Sequence, residues 1–316
     1  MPGRPIEIRL GGYGPPTTSF SRGLKRIGDS LETELGGAVE IRYVWNIMDL
    51  GYRSEDILWL VESGVLTLGY QSTSYFTDRV PELGLLDLPF LFETRDAARA
   101  AMDRRLGEVL ARKIETGMNL RILGYFENGF RHISNRLRPV RRPADLAGMR
   151  IRVLPSDIQV RTFELLGALP MRMDLTEAID RIRAGTIDAQ ENPLANTVTY
   201  GVHKFHRFHT LTSHFYLSRP IFLHRPSYDA WPAEVRRSFA AAARRAVAFQ
   251  RDLAIEEEAK ATAEIKREGC EVLELDAAEH AALVAAVRPL RAEVQRLYSP
   301  ELLLLLPTLG MRNGTH

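Results

Sequence analysis

Three polar residues stand out for their type and setting: Arg131 in Glu127-Asn128-Gly129-Phe130-Arg131, Arg152 in Gly148-Met149-Arg150-Ile151-Arg152-Val153, and Asn192 in Asp188-Ala189-Gln190-Glu191-Asn192-Pro193-Leu194. Each lies at or just after a short strand-like run, where a side chain is delivered into a loop mouth. A guanidinium carries a planar fork of donors that takes a carboxylate two-pronged. Arg152, with Arg131 entering the same cleft, would therefore hold a small anion. In a strand over 149–153, Ile151 and Val153 face one way while Arg150 and Arg152 face the other; a half-solvated strand with two surface arginines leaves the same pattern. Asn192 precedes Pro193 at a predicted helix start, a favoured N-cap position. The same helix terminus would offer unpaired N–H groups and a positive dipole end to an anion.

Other chemistries have weaker support. Seven arginines fall between residues 131 and 152 with only Asp145 against them, but no helix-turn-helix or aromatic–basic motif turns that run into a nucleic-acid surface. Five of the eight histidines cluster as His203, His206, His209, His214 and His224. No acidic or cysteine partners join them in a metal-site pattern, so no metal is predicted. Ser72, Ser74 and His132 are a nucleophile and base by type, and nothing orders them. No phosphate-binding, nucleophile-elbow, zinc-protease or dinucleotide fingerprint occurs. The chain shows recognition groups without reaction machinery, and no cofactor is implied.

The elements that must position these residues read as two successive α/β series. Strands over 6–10, 39–45 and 65–70 alternate with helices over about 20–35 and 56–61, the pattern of a parallel sheet covered on both faces. Ligands of such sheets sit beyond the carboxyl ends of the strands, which makes 11–19, 45–53 and 71–75 candidate pocket walls. A helix is predicted over 96–115 and a strand over 121–126. The second series has strands over 149–153, 170–173 and 187–190, with helices over 156–166, 176–184 and 193–202. A long helix follows from Pro232 to about residue 268, roughly 36 residues or about 54 Å; an unseen break into two helices is the alternative. Asp276 and Glu279 form a capping box for a last helix over 277–298.

The 316 residues, 45% hydrophobic and 26% charged, are enough for two cored domains. A net charge of +2 argues against general polyanion binding. The single cysteine, Cys270, excludes an internal disulfide framework and leaves the compartment open. The longest apolar run, Leu302 to Leu306, is far short of the roughly 20 residues that span a bilayer. The chain enters the first strand without a charged-then-apolar signal, so the expectation is either a cytoplasmic protein or one whose leader has been removed.

Taken in order, Asn128-Gly129-x-Arg131, Leu146-x-Gly148-x-x-Ile151-Arg152-Val153, Leu166-Gly167-Ala168-x-Pro170 and Gly185-x-x-Asp188-x-Gln190-Glu191-Asn192-Pro193 resemble the DctP-type solute-binding proteins of TRAP transporters, as does Asp87-Leu88-Pro89-Phe90-Leu91-Phe92. The similarity covers about residues 6 to 300. It implies a two-lobed periplasmic-binding-protein-like α/β fold with a hinge and a long helix spanning both lobes. On this reading, residues 1–127 and about 216–250 form one lobe, and 128–215 and about 251–310 the other, with the ligand cleft between them. It further implies capture of a small organic acid by a periplasmic monomer whose signal peptide has been removed, and delivery to TRAP membrane subunits. The carboxylate-clamping arginine carries over to Arg152, the second basic contact to Arg131, and the pocket asparagine to Asn192, with Asn128 beside them. Tyr13, Tyr52 and Ser72 fall where relatives place specificity residues. A carboxylate sensor without a transporter, or an enzyme on the same fold, are the alternatives. Dicarboxylates, sugar acids, keto or hydroxy acids and aromatic acids all remain open as ligands.

Overall fold

The computed structural model describes residues 4–306. The first predicted series is present as β1 (Ile6–Gly11), α1 (Ser19–Leu35), β2 (Val39–Val44), α2 (Ile57–Glu62) and β3 (Leu68–Tyr70). β1 lies between β2 and β3, parallel to both. α1 starts where the Thr18 hydroxyl accepts the Ser21 N–H, and it buries Phe20, Leu24, Ile27 and Leu31 on one face, the stripe expected of a helix against a sheet. The helix predicted over 96–115 is instead two, α3 (Arg95–Met102) and α4 (Arg105–Gly117). The break falls at Asp103-Arg104, where Arg104 is extended and the Asp103 carboxylate is held by Arg251 at 2.6 and 2.7 Å.

The strand predicted over 121–126 is the start of a much longer one, β4 (Leu120–Asn135). The second series follows in the predicted order: β5 (Arg150–Val153), α5 (Asp157–Leu165), β6 (Leu169–Arg172), α6 (Leu175–Arg183), β7 (Ala189–Asn192) and α7 (Leu194–Thr199). After it comes a 17-residue strand that the sequence reading did not include, β8 (Phe208–His224). The remaining elements are α8 (Arg225–Ala230), α9 (Ala233–Arg267), β9 (Glu271–Glu274), α10 (Ala277–Ala286), α11 (Pro289–Leu297) and α12 (Pro300–Leu303).

β4 and β8 pair antiparallel along their lengths and join the two halves of the molecule. At one end of this ribbon β3 adds to residues 221–223 of β8. At the other end β7 adds to residues 132–135 of β4, and β9 to residues 208–211 of β8. The full order is β2-β1-β3-β8-β4-β7-β5-β6, with β9 off the path. One ribbon thus serves two lobes, and each lobe has its own core. The larger holds Leu10, Leu24, Leu68, Phe126 and Phe239, and the smaller Ile133, Ile151, Val153, Phe163 and Phe215. The ribbon slips register between Ile122 and Gly124, Glu127 and Gly129, and Arg131 and Ile133. Such bulges bend and twist a strand, and Gly129, at φ 93°, supplies the left-handed backbone that one of them needs.

α9 is continuous over 35 residues, about 52 Å. Its apolar stripe changes partners along its length. Phe239, Ala242 and Ala246 pack in the larger core, whereas Ala261 and Ile265 pack with Leu194 at α7. Two consecutive carboxylates complete the brace. Glu257 accepts the Ser19 N–H that opens α1, and Glu258 accepts the Leu194 and Ala195 N–H groups that open α7, at 3.2 and 3.1 Å. Burial raises the pKa of both carboxyls.

One expectation needs correction here. The capping box at Asp276 and Glu279 is present, but the helix predicted over 277–298 ends at Ala286, and Pro289 opens a new one. Proline suits a first helical position and breaks an interior. From there the chain crosses back: Leu290, Val294, Leu302 and Leu306 pack in the larger core. The same segment also touches the second lobe, where Glu293 pairs with Arg161 of α5 at 3.0 Å; residues 307–310 lie outside the described chain.

Candidate functional site

Between the lobes lies a narrow cleft lined by Tyr13, Ser72, Asn128, Arg131, Arg152 and Asn192 together with Gln71, Tyr75, Leu154, Leu175, Asn196, Tyr200 and Arg219. Tyr13, and the group Gln71, Ser72 and Tyr75, come from the loops after β1 and β3. Two of the three wall segments expected from strand ends therefore reach the cavity. The third does not. Tyr52 is 36% exposed and packs edge-on against Trp59 on the outer surface, so the expectation that it contacts ligand is corrected. The Gly51 turn points the chain outward there.

Arg152 is 2% exposed. Its Nε donates to the Met173 carbonyl at 3.2 Å and one Nη to the Tyr75 hydroxyl at 3.1 Å. Both partners are neutral. Burial pushes the Tyr75 phenol up to about 12 against the pull of Arg152, so it stays protonated. Among the described residues no carboxylate lies within ion-pair distance of Arg152, which leaves a buried cation with donors facing an empty space. A buried charge without a partner is expensive.

Arg131 lines the same cavity but is not a free cation. Its guanidinium forks onto the Glu191 carboxylate and also reaches the Glu191 carbonyl at 2.7 Å. The arginine is 1% exposed and the glutamate fully buried. The Glu191 carboxyl stays below its ordinary pKa although burial opposes this, because Arg131 and His214 face it. Arg131 thus lines the cavity, where a second basic contact was expected, with its Nε and one Nη already engaged by Glu191. Most other arginines of the 131–152 run are also spent. Arg136 and Arg150 share Asp188, Arg138 donates to two carbonyls, Arg141 pairs with Glu279 and Arg142 with Asp145. Arg152 alone of the seven has no anionic or surface partner.

Asn192 ends β7 and is not a helix cap; Pro193 occupies that place. The side-chain Oδ1 of Asn192 accepts from Asn196 Nδ2 at 3.1 Å, as does Oδ1 of Asn128 at 3.0 Å. The N–H groups that open α7 are taken by Glu258, so the helix terminus is not free for an anion. Asn128 Nδ2 and Ser72 Oγ are buried without a partner.

Arg219, which the sequence reading did not single out, sits in β8 at 4% exposure. Its guanidinium carbon lies 4.0 Å from the ring centre of Phe20 and 5.1 Å from that of Tyr13. It also faces the Tyr200 hydroxyl, whose pKa burial raises. The available signal was one charge in the otherwise uncharged run Phe215 to Leu223. Across the mouth of the cavity, Asp174 accepts from the Ser54 hydroxyl at 2.6 Å and the Glu55 N–H at 3.1 Å, while its other oxygen caps α6 at Thr176. The lobes are therefore latched in a closed arrangement.

The remaining candidates are engaged elsewhere. Ser74 donates to Asp87 at 2.6 Å, and His132 lies behind the cavity wall with Nδ1 accepting the Ser213 N–H, so no nucleophile–base pair forms. His206, His209, His214 and His224 bond neighbouring hydroxyls or carbonyls. Among the described residues no cluster of histidine, cysteine or acidic side chains could hold a metal.

A closed two-lobed cleft around an uncompensated guanidinium agrees with the comparisons. The profile of the DctP family, bacterial extracellular solute-binding protein family 7, matches residues 10–297. The chain belongs to this family. A solute-binding protein of Verminephrobacter eiseniae is 30% identical over 85% of this chain and 78% of its own. The 2,3-diketo-L-gulonate-binding periplasmic protein of Escherichia coli is 29% identical over 84% and 80%. The TRAP periplasmic solute-binding protein of Polaromonas sp. JS666, solved with D-erythronate bound, superposes with a TM-score of 0.89 at 25% identity, covering 95% of this chain and 98% of that one. DctP proteins are extracytoplasmic receptors that capture small organic acids and deliver them to TRAP membrane subunits. No helix among the described residues is long and apolar enough to cross a membrane.

Proposed function

We propose that this DctP protein closes over a small carboxylate between its lobes, with Arg152 as the charged anchor. The single observation that carries this is the Arg152 guanidinium, 2% exposed and paired only with neutral groups. Inside a dry cleft a charge-assisted bond counts for more than at a surface, so an incoming carboxylate gains most from a cation that has no carboxylate partner in the protein. Asn128, Asn192, Ser72 and Tyr13 orient the bound acid, and the Arg131–Glu191 pair holds β4 against β7 beneath it. The lobes divide within β4 and β8. The first takes 4–127, about 216–250 and 289–306, and the second takes 128–215 and about 251–288. The protein works as a periplasmic monomer without nucleic acid, handing its ligand to TRAP membrane subunits and leaving it chemically unchanged. The relatives' sugar and keto acids support a carboxylate as the common feature of the ligand.

Calorimetric titration of small mono- and dicarboxylates, each against its neutral amide, tests the proposal. Binding of an acid with none of its fully amidated form, and recovery of the acid intact, is the expected outcome. Equal binding of acid and amide would remove Arg152 from its role.

A further inference from the structure

We infer that Asp87 is a proton-binding site between the lobes, and that closing over a ligand takes up one proton there from solvent. The inference rests on the reading of closure over a carboxylate and goes beyond it, since Asp87 does not line the cleft. Asp87 ends the turn Pro81–Asp87 and is fully buried. On the lobe boundaries proposed above, it belongs to the first lobe and its cover to the second. Ser74, from its own lobe, donates to Oδ1 at 2.6 Å. Gln159 of α5 reaches across, donating to the same oxygen at 2.8 Å and to Ser74 Oγ at 3.2 Å. The amide oxygen of Gln159 accepts the Leu154 N–H at 3.2 Å, and Leu154 lines the cleft two residues after Arg152. Oδ2 of Asp87 has no partner, and neither has the hydroxyl of Ser156, which faces the carboxyl from the start of α5. A proton on Oδ2 finds its acceptor in that hydroxyl.

Among the described residues no lysine, arginine or histidine lies within ion-pair distance of this carboxyl. The titratable groups of the elements packed around it are engaged elsewhere. Glu191 of β7 is held by Arg131 and faced by His214 of β8. Lys113 of α4 pairs with Glu82, and Asp157 of α5 with Arg172. The Tyr75 hydroxyl accepts from Arg152, and the Tyr298 phenol donates to the Pro81 carbonyl. Burial therefore pushes the Asp87 carboxyl up to about 6, against the pull of its bonds to Ser74, Ser156 and Gln159, with Glu191 adding to the rise. Parting the lobes withdraws Gln159 and Ser156 and admits water, which returns the carboxyl toward its ordinary 3.8. The closed state then binds more protons than the open one between these two values. Closure is favoured as pH falls through about 6.

The test is calorimetric titration of D-erythronate, D-galacturonate and pyruvate, acids stronger than an aspartate side chain. Each is titrated in MES and in piperazine, buffers without carboxylates that differ in ionisation enthalpy, so the difference in heat counts the protons taken up. The wild-type protein should take up close to one proton on binding at pH 5 and almost none at pH 7, and should bind about tenfold more tightly at pH 5. Asp87→Asn keeps an acceptor for Ser74 and Gln159 and turns a donor toward Ser156. It should show neither the uptake nor the pH dependence, and should bind at pH 7 at least as tightly as the wild type. Its melting curve confirms folding, and the wild-type proton count stands without the variant. Binding without uptake at pH 5, or an uptake that survives Asp87→Asn, overturns the assignment and leaves carboxylate capture standing. No binding of any of the three acids overturns carboxylate capture and this inference with it.

Discussion

Replacing Arg152 by alanine separates a ligand anchor from a structural cation. In the folded protein Arg152 makes two bonds, to the Met173 carbonyl at 3.2 Å and the Tyr75 hydroxyl at 3.1 Å, and its remaining donors face the cavity. Removing one partner of a buried charged pair costs about 2–5 kcal/mol. At about 1.4 kcal/mol per decade, Arg152→Ala should weaken ligand binding roughly 30- to 4000-fold. The unliganded protein should respond differently. Arg152 has no protein anion to strand, so truncation removes a desolvated charge together with two bonds to neutral groups, and the ligand-free melting temperature should change little. Arg131→Ala is the contrasting case. It leaves the fully buried Glu191 carboxylate without its partner, a loss of about 3–5 kcal/mol of stability. Calorimetry and thermal melting of both variants in one buffer make the comparison. A change in affinity under about threefold for Arg152→Ala, or a fall in its ligand-free melting temperature matching that of Arg131→Ala, would refute the reasoning.

The latch and the buried histidines give further expectations. Asp174→Ala loses charge-assisted bonds to Ser54 and Glu55 across the cleft, each worth about 1.5–3 kcal/mol. Ligand affinity should fall at least about tenfold, and X-ray scattering should show a more open liganded state; unchanged affinity would mean closure does not use this bridge. Burial lowers the pKa of His206 from 6.5 to about 3 and that of His209 to about 4. Their folded values lie below the unfolded one, so the unfolded chain takes up protons first. The stability they contribute is present above pH 6.5 and is lost as pH falls through about 4 for His209 and about 3 for His206. Urea midpoints measured at pH 7 and pH 5 should fall on acidification, and less so in His206→Gln; an identical drop in that variant would remove His206 as a cause.

The sequence revealed local periodicity well and long-range pairing poorly. α1 and α9 were legible because their apolar residues recur at helical spacing and their ends carry recognisable punctuation. β4 was read as a short strand because Gly124, Glu127-Asn128 and Gly129 interrupt its alternation, and the structure uses those interruptions as bulges. β8 lacked a clean alternation because it is buried along most of its length and carries Ser213 in a left-handed conformation. Arg152 was legible as one member of a β5 pair. Nothing local distinguished it from Arg131, whose partner Glu191 is 60 residues away. Arg219 was missed because its meaning depends on an absence of counter-charge that only the folded chain shows. Tyr52 and Asn192 were placed by their neighbours in sequence. The turn at Gly51 and the capture of the α7 amides by Glu258 decide their positions, and neither is visible from those neighbours.

The central claim is that an anion completes this cleft. A thermal-shift screen tests it most directly, using protein unfolded and refolded to strip any bound ligand, against small organic acids and their neutral amides. A ligand at 100 times its dissociation constant adds about 2.7 kcal/mol of stability, which is readily visible as a raised melting temperature. The account predicts that one chemical series of carboxylates raises the melting temperature, that their fully amidated forms do not, and that Arg152→Ala abolishes the shift. Neutral solutes that stabilise the protein as strongly as the acids, or a refolded protein that no acid stabilises, would contradict it.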